Sequence, residues 1–197
     1  GESSYAPLWV KKDTNRFLRV KTKDGKEIET LSPFCEATKK ADARAFAKLM
    51  EHIKEYDKEQ TVILMQPQNE VGMFQDIDYN QVSLNLYKQS VPKQLTSYLK
   101  KNKSHLKPYL KDAWSKSNFK TNGTWKEIFG DTPESKAFFT TWQYATYINY
   151  VAKMGREQYN LPMMVNAWIV QKPEDLPGVY PNGGPVSRVM DIWKAAA

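Results

Sequence analysis

Thr61-Val-Ile-Leu-Met-Gln-Pro-Gln-Asn-Glu-Val-Gly-Met73 sets the most strand-like apolar run of the chain directly against its most chemically suggestive pair, Asn69 and Glu70. Thr61 to Met65 carries no charge and is rich in β-branched residues. It reads as a strand buried on both faces, as parallel strands of α/β proteins are. Polar groups then fall at its carboxyl end, where open α/β sheets and barrels place their ligands.

Working outward, the residues before this run predict a helix from Thr38 to about Tyr56. Ala41, Ala45, Phe46, Leu49, Met50, Ile53 and Tyr56 recur at three- and four-residue steps, and Lys39, Lys40, Asp42, Arg44, Lys48, Glu51 and Lys54 take the other faces. A four-residue link, Asp57 to Gln60, completes an αβ unit with a connection of ordinary length. Downstream, Leu161 to Val170 reads as a second buried strand, with Asn166 and Trp168 in its second half. Between the two strands lies the chain's widest apolar helical face, Pro133 to Tyr159, entered through Thr132-Pro133-Glu134-Ser135. Residues 74–130 read as an insertion after the first strand. It holds helices from Ser90-Val91-Pro92 to about Lys101 and near Leu106 to Trp114, and an apolar helical turn at Trp125, Ile128 and Phe129. Residues 1–37 read as long loop with a hairpin about Asp24-Gly25, Pro177 to Pro185 as turns, and Val186 to Ala197 as a closing helix. Strands alternating with helices predict a single α/β domain over 1–197 with parallel strands.

A formal charge of +7 raises the question of nucleic acid, but the lysines are interleaved with Glu and Asp. They read as a solvated surface rather than a phosphate-binding stripe. No apolar run reaches the roughly 20 residues that span a bilayer, and the first residues lack the basic start and apolar stretch of a signal peptide. Cys35 stands alone, which excludes an internal disulfide and a multi-cysteine zinc site. His52 and His105 have no neighbour at metal-ligand spacing, so neither metal nor cofactor is expected. Gly183-Gly184 lacks the flanking pattern of a phosphate loop and reads as a turn. Aromatic residues reach 13%, with six tryptophans. Most such rings fill a core, and flat exposed ones also suit the apolar faces of sugars.

Gln66-Pro-Gln-Asn-Glu-Val-Gly72 at the end of a buried strand resembles the fourth-strand motif of clan A glycoside hydrolases, which are (β/α)8 TIM-type barrels. It is most similar to the β-galactosidases of family 35 and their relatives, which usually read Gln-x-Glu-Asn-Glu-Tyr-Gly. Here Gln68 stands in place of the first Glu and Val71 in place of the Tyr. Ser3-Ser4-Tyr5-Ala6-Pro7, Asn166-Ala167-Trp168 and Pro181-Asn182-Gly183-Gly184-Pro185 resemble family-35-like or family-42-like proteins of polysaccharide-degrading bacteria.

The resemblance implies a retaining β-glycosidase with Glu70 as general acid/base and Asn69 bound to the sugar 2-hydroxyl, a contact that strengthens at the transition state. Asn166 and Trp168 become further substrate contacts. The partner is a carbohydrate, and a periplasmic or secreted bacterial parent is expected. Counting Thr61 to Met65 as the fourth strand makes Leu161 to Val170 the fifth, so the expected fold is an incomplete piece of the barrel. The family's nucleophile lies on a seventh strand that is not found here, and Glu157, Glu174 and Asp191 are carboxylates outside the family motif. The alternative is a carbohydrate-binding chain without hydrolysis. Open sheet edges would also favour association with another copy of the chain.

Overall fold

A computed structural model describes residues 5–170, 172 and 174–197. Its organising element is α7, Pro133–Gln158. The helix starts where the sequence signals it: the Thr132 side chain accepts a hydrogen bond from the Ser135 amide at 3.3 Å, and Pro133 occupies the first turn. Phe138, Phe139, Trp142, Tyr144, Ile148 and Val151 are buried along it. Its principal partner is α2, Glu36–Tyr56, which begins two residues earlier than the periodicity indicates. Gly155 lets the two approach closely, because a Cβ there would clash with Cε1 of the Phe46 ring.

The remaining helices close around this pair. α3 (Gln81–Tyr87), α4 (Lys93–Lys101), α5 (Pro108–Ser115) and α6 (Trp125–Phe129) occupy the stretch read as an insertion. Leu95, Leu99, Leu110, Trp114, Trp125 and Ile128 place that stretch in the same core as α7. Thr124 and Glu127 form a reciprocal capping box at the start of α6, a signal present in the sequence as Thr-x-x-Glu. α8, Met190–Ala196, packs on α7 and α4. Its last carbonyls, orphaned at any helix end, accept from Asn149 Nδ2 (2.8 Å, to Ala196) and Gln94 Nε2 (2.9 Å, to Ala195).

Most of the aromatic content is core. Phe139 stacks on Phe34 at 5.1 Å and meets Tyr87 and Trp125 at 5.2 and 5.4 Å; Phe129 then carries the chain of rings to Phe138. Such offset and edge contacts add about 0.5–1.5 kcal/mol each beyond area burial. Before α2, a short helix α1 (Leu8–Lys12) leads to a hairpin, β1 (Arg19–Lys21) and β2 (Glu27–Leu31), around Gly25 at φ +85°. Asp78 fastens that hairpin to the body. Its carboxylate, wholly buried, accepts from Ser32 Oγ at 2.6 Å and from the Lys21 and Asn80 amides at 2.9 and 2.8 Å.

The structure overturns the expected parallel α/β barrel. About 48% of the chain is helical, and the β1–β2 pair, which is antiparallel, is the only sheet among the described residues. Thr61 to Met65 is not a strand buried on both faces: Ile63 is 77% exposed and Leu64 is exposed too. Its opening amides are taken by a side chain, since the Asp57 carboxylate accepts from Thr61 N at 2.9 Å and Val62 N at 2.8 Å. Leu161 to Val170 lies alongside in parallel but touches it through one bridge, Met65 to Met163, with N–H to O contacts of 3.0 and 2.9 Å. A parallel strand needs ladder partners repeated along its length. Uncharged β-branched composition signals an extended segment but does not supply those partners. Met164, Val165 and Ile169 are accordingly exposed as well. No helix among the described residues is long and apolar enough to cross a membrane.

Gly155→Ala tests the α2–α7 contact. In an ordinary helix interior the change stabilises by up to about 1 kcal/mol; here overpacking against Phe46 reverses the sign, and urea denaturation should show a loss of about 1–3 kcal/mol.

Candidate active site

Gln66 to Met73 folds as a tight, irregular turn held from two distant parts of the chain. On one side, Asn166 accepts from the Glu70 amide at 2.8 Å and donates its own Nδ2 to Asn69 Oδ1 at 2.8 Å. Gln66 Nε2 donates to the same Asn69 oxygen at 3.2 Å. On the other side, Asn182 exchanges backbone hydrogen bonds with Met73 at 3.0 and 2.8 Å, and its side chain donates to the carbonyls of Asp76 (2.6 Å) and Gln75 (3.3 Å). Between these clamps Glu70 sits at φ +46°, a left-handed conformation costing a non-glycine residue about 1–2 kcal/mol. Gly72 follows at φ +146°, against Pro181, where a Cβ would overlap the proline backbone. Strain of this kind persists where surrounding contacts over-determine it, and it concentrates at functional sites.

The turn forms part of the wall of a cavity of about 560 Å3. Asn69 and Glu70 line it together with Trp9 and Phe17 from the N-terminal segment, Thr38 and Asp42 from α2, and Tyr144 and Tyr147 from α7. Trp9 is half exposed and packs edge-on against the buried Phe17 at 5.3 Å. Asn69 uses its oxygen in the clamp, while its amide nitrogen donates to no other described residue. Asn69 is exposed, and that nitrogen keeps its donors beside Glu70.

Helical spacing assigns Asp42 to the polar faces of α2, yet it lines the cavity. Gln68 Nε2 donates to Asp42 Oδ2, and the Tyr147 phenol lines the cavity near the same carboxyl group. Burial pushes the Asp42 carboxyl above the usual carboxylate range, and the two side chains only partly offset it. Burial and the adjacent carboxylate likewise push the Tyr147 phenol strongly up, keeping it a donor. Thr38 and Asp42, one helical turn apart, share a stripe with Ala41 and Ala45. A polar pair four residues apart on a face of small alanines was the signal available in the sequence.

The structure thus brings together Asn69, Glu70 and Asn166, with Asn166 acting as the clamp on the turn. Trp168 is separate from the cavity lining and meets Phe74 edge-on at 6.0 Å. Of the other carboxylates considered, Glu157 lies near the end of α7, Glu174 is exposed, and Asp191 is buried, accepting from the Lys107 amide at 2.7 Å. None of the three lines the cavity. Among the described residues no three His, Cys, Asp or Glu side chains converge to hold a metal ion. No protein-family model matches the chain, and no curated protein matches it significantly.

Asp42 makes stability pH-dependent in a definite direction. A raised folded-state value means that the folded protein binds the proton more tightly than the unfolded chain, so stability falls as pH rises from about 4 through the folded value. Asp78, raised by burial in the same sense, contributes to the same fall. Thermal unfolding across pH 3–8 should therefore show a shallower decline for Asp42→Asn than for the wild type, the difference isolating Asp42.

Proposed function

We propose that the cavity binds a glycoside and that Glu70 acts on it as general acid/base. The reaction class is that of a retaining β-glycosidase, β-galactosidase-like, working on polysaccharide-derived glycans. The observation that carries this reading is that Asn69 and Glu70, held side by side by Asn166, line one cavity with aromatic residues in its wall. In the proposed step the Glu70 carboxyl gives its proton to the glycosidic oxygen, which leaves with the bonding electron pair while a second carboxylate bonds the anomeric carbon; water then displaces that carboxylate and gives a proton back to Glu70. The Asn69 amide donates to the sugar 2-hydroxyl beside that carbon. The clamp from Asn166 supports the step by holding both residues in one geometry before substrate arrives.

Retention needs a second carboxyl group about 5 Å from the first. Asp42 is the other carboxyl group among the described lining residues. Its hydrogen bond with Gln68, and the burial that favours its neutral form, favour a second reading, in which sugar is bound without being cleaved.

Glu70→Gln separates the two. Against alkyl β-glycosides, whose poor leaving groups need the proton most, turnover should fall by about 10²–10⁴-fold while calorimetry shows sugar binding retained. Unchanged turnover would remove Glu70 from the mechanism, and binding with no turnover in the wild type would establish the second reading.

A further inference from the structure

Five aromatic residues line the cavity among the described residues, and they differ in what they can offer a ligand. Phe17, Tyr144 and Tyr147 are buried, so their ring faces are already spent on the protein. Tyr5 stands wholly in solvent, and no described contact fixes its ring. Trp9 combines the two properties a binding surface needs, access and a fixed position. It is 51% exposed, more than the backbone of a tryptophan can account for, so part of the indole itself lies open where the residue lines the cavity.

The position of that ring is fixed from two sides. It meets Phe17 with centroids 5.3 Å apart and planes at 72°. In an edge-to-face pair at most one face of either ring is used, so at least one face of the indole stays uncovered by Phe17 whichever ring supplies the edge. No other described aromatic ring or cation meets it. The helix that carries it, α1, is tied down by Arg19, which is buried in the hairpin. Arg19 Nη1 donates to the Glu29 carbonyl of β2 at 2.8 Å, and Nη2 donates to the Lys11 carbonyl in the last turn of α1 at 3.2 Å. A five-residue helix has little stability of its own, so these contacts and buried Val10 hold Trp9 where it is.

We propose that Trp9 is the stacking platform of the cavity: the open face of its indole takes the C–H face of a pyranose ring, and the site is thereby specific for closed-ring sugars. A pyranose carries its hydroxyls mainly at the rim and C–H groups on its faces. Those weakly positive C–H groups suit the negative face of an aromatic ring, and indole offers the largest and strongest such face. Rim hydroxyls stay free for polar groups such as the Asn69 amide, which lines the same cavity. Trp168 has no such role, because it packs on Phe74 apart from the cavity lining. The proposal rests on the glycoside-binding part of the functional reading and is independent of whether Glu70 catalyses.

Titration calorimetry on the 197-residue chain tests it with methyl β-galactopyranoside and methyl β-glucopyranoside, each set against its open-chain polyol, galactitol or glucitol. At least one glycoside should bind, and its polyol, which keeps hydroxyls but has no ring face and must be ordered on binding, should bind about tenfold more weakly or worse. Trp9→Leu, apolar but without a π face, should weaken the glycoside about fivefold or more, and Trp9→Phe, with a smaller ring, should fall between Trp9→Leu and the wild type. A second measurement needs no change at Trp9. Trp9 and Trp168 are the accessible tryptophans, so saturating glycoside should shield one of them from acrylamide quenching of fluorescence, and Trp168→Phe should keep that shielding. The proposal is overturned if neither glycoside binds, if the polyol binds as tightly, if Trp9→Leu binds like the wild type, if Trp9→Phe binds no better than Trp9→Leu, or if glycoside leaves the quenching unchanged. Hydrolysis assays keep the two ideas apart. Binding that shields Trp9 without turnover sustains the platform and defeats the acid/base role of Glu70, whereas turnover whose KM is the same in Trp9→Leu does the reverse.

Discussion

The contact on which the rest of the molecule depends is the packing of α2 against α7. Gly155 removes the one Cβ that would hold the helices apart, and Phe46 fills the space gained. Neither helix is sustained by its own propensity alone; apolar burial along their shared face holds them. From that pair the other elements take their places: α6 and α8 pack on α7, and the hairpin is fastened through Asp78 to the segment leading into α3. The cavity follows from the same pair, since Thr38 and Asp42 belong to one helix and Tyr144 and Tyr147 to the other.

The turn bearing Glu70 depends on a second constraint. Its backbone makes no regular ladder, so its polar groups need partners from elsewhere. Two asparagines provide them, Asn166 from the segment beside Met65 and Asn182 from the glycine-rich segment that lies against Gly72 and Val71. A side-chain amide suits this work because it offers both an acceptor and donors within one rigid plane. The left-handed Glu70 is the local cost, offset by bonds from residues about 100 positions away.

Charge is partitioned by the same architecture. Lysines cover solvent-facing positions of the helices, while the cavity keeps its carboxyls among aromatic and small side chains. The aromatic content divides similarly. Trp114 and Trp125 are fully buried and Trp142 and Trp193 nearly so, leaving Trp9 beside the cavity and Trp168 against Phe74 as the accessible tryptophans.

Helical periodicity by itself determined α2, α4 and α7 to within a few residues, and local chemistry marked the hairpin at Gly25 and the cap at Thr132. These are properties of neighbours in sequence, where side-chain spacing and cap bonds act within one or two turns. The pairing of Asn69 with Glu70 was legible for the same reason. Tertiary structure alone decided that Thr61 to Met65 stays an exposed extended segment, because a strand exists only through partners that its own residues do not encode. It alone also turned Asp42 from a residue of a polar helical face into one wall of the cavity. Which face of a helix meets water depends on what packs beside it, and here that neighbour is α7.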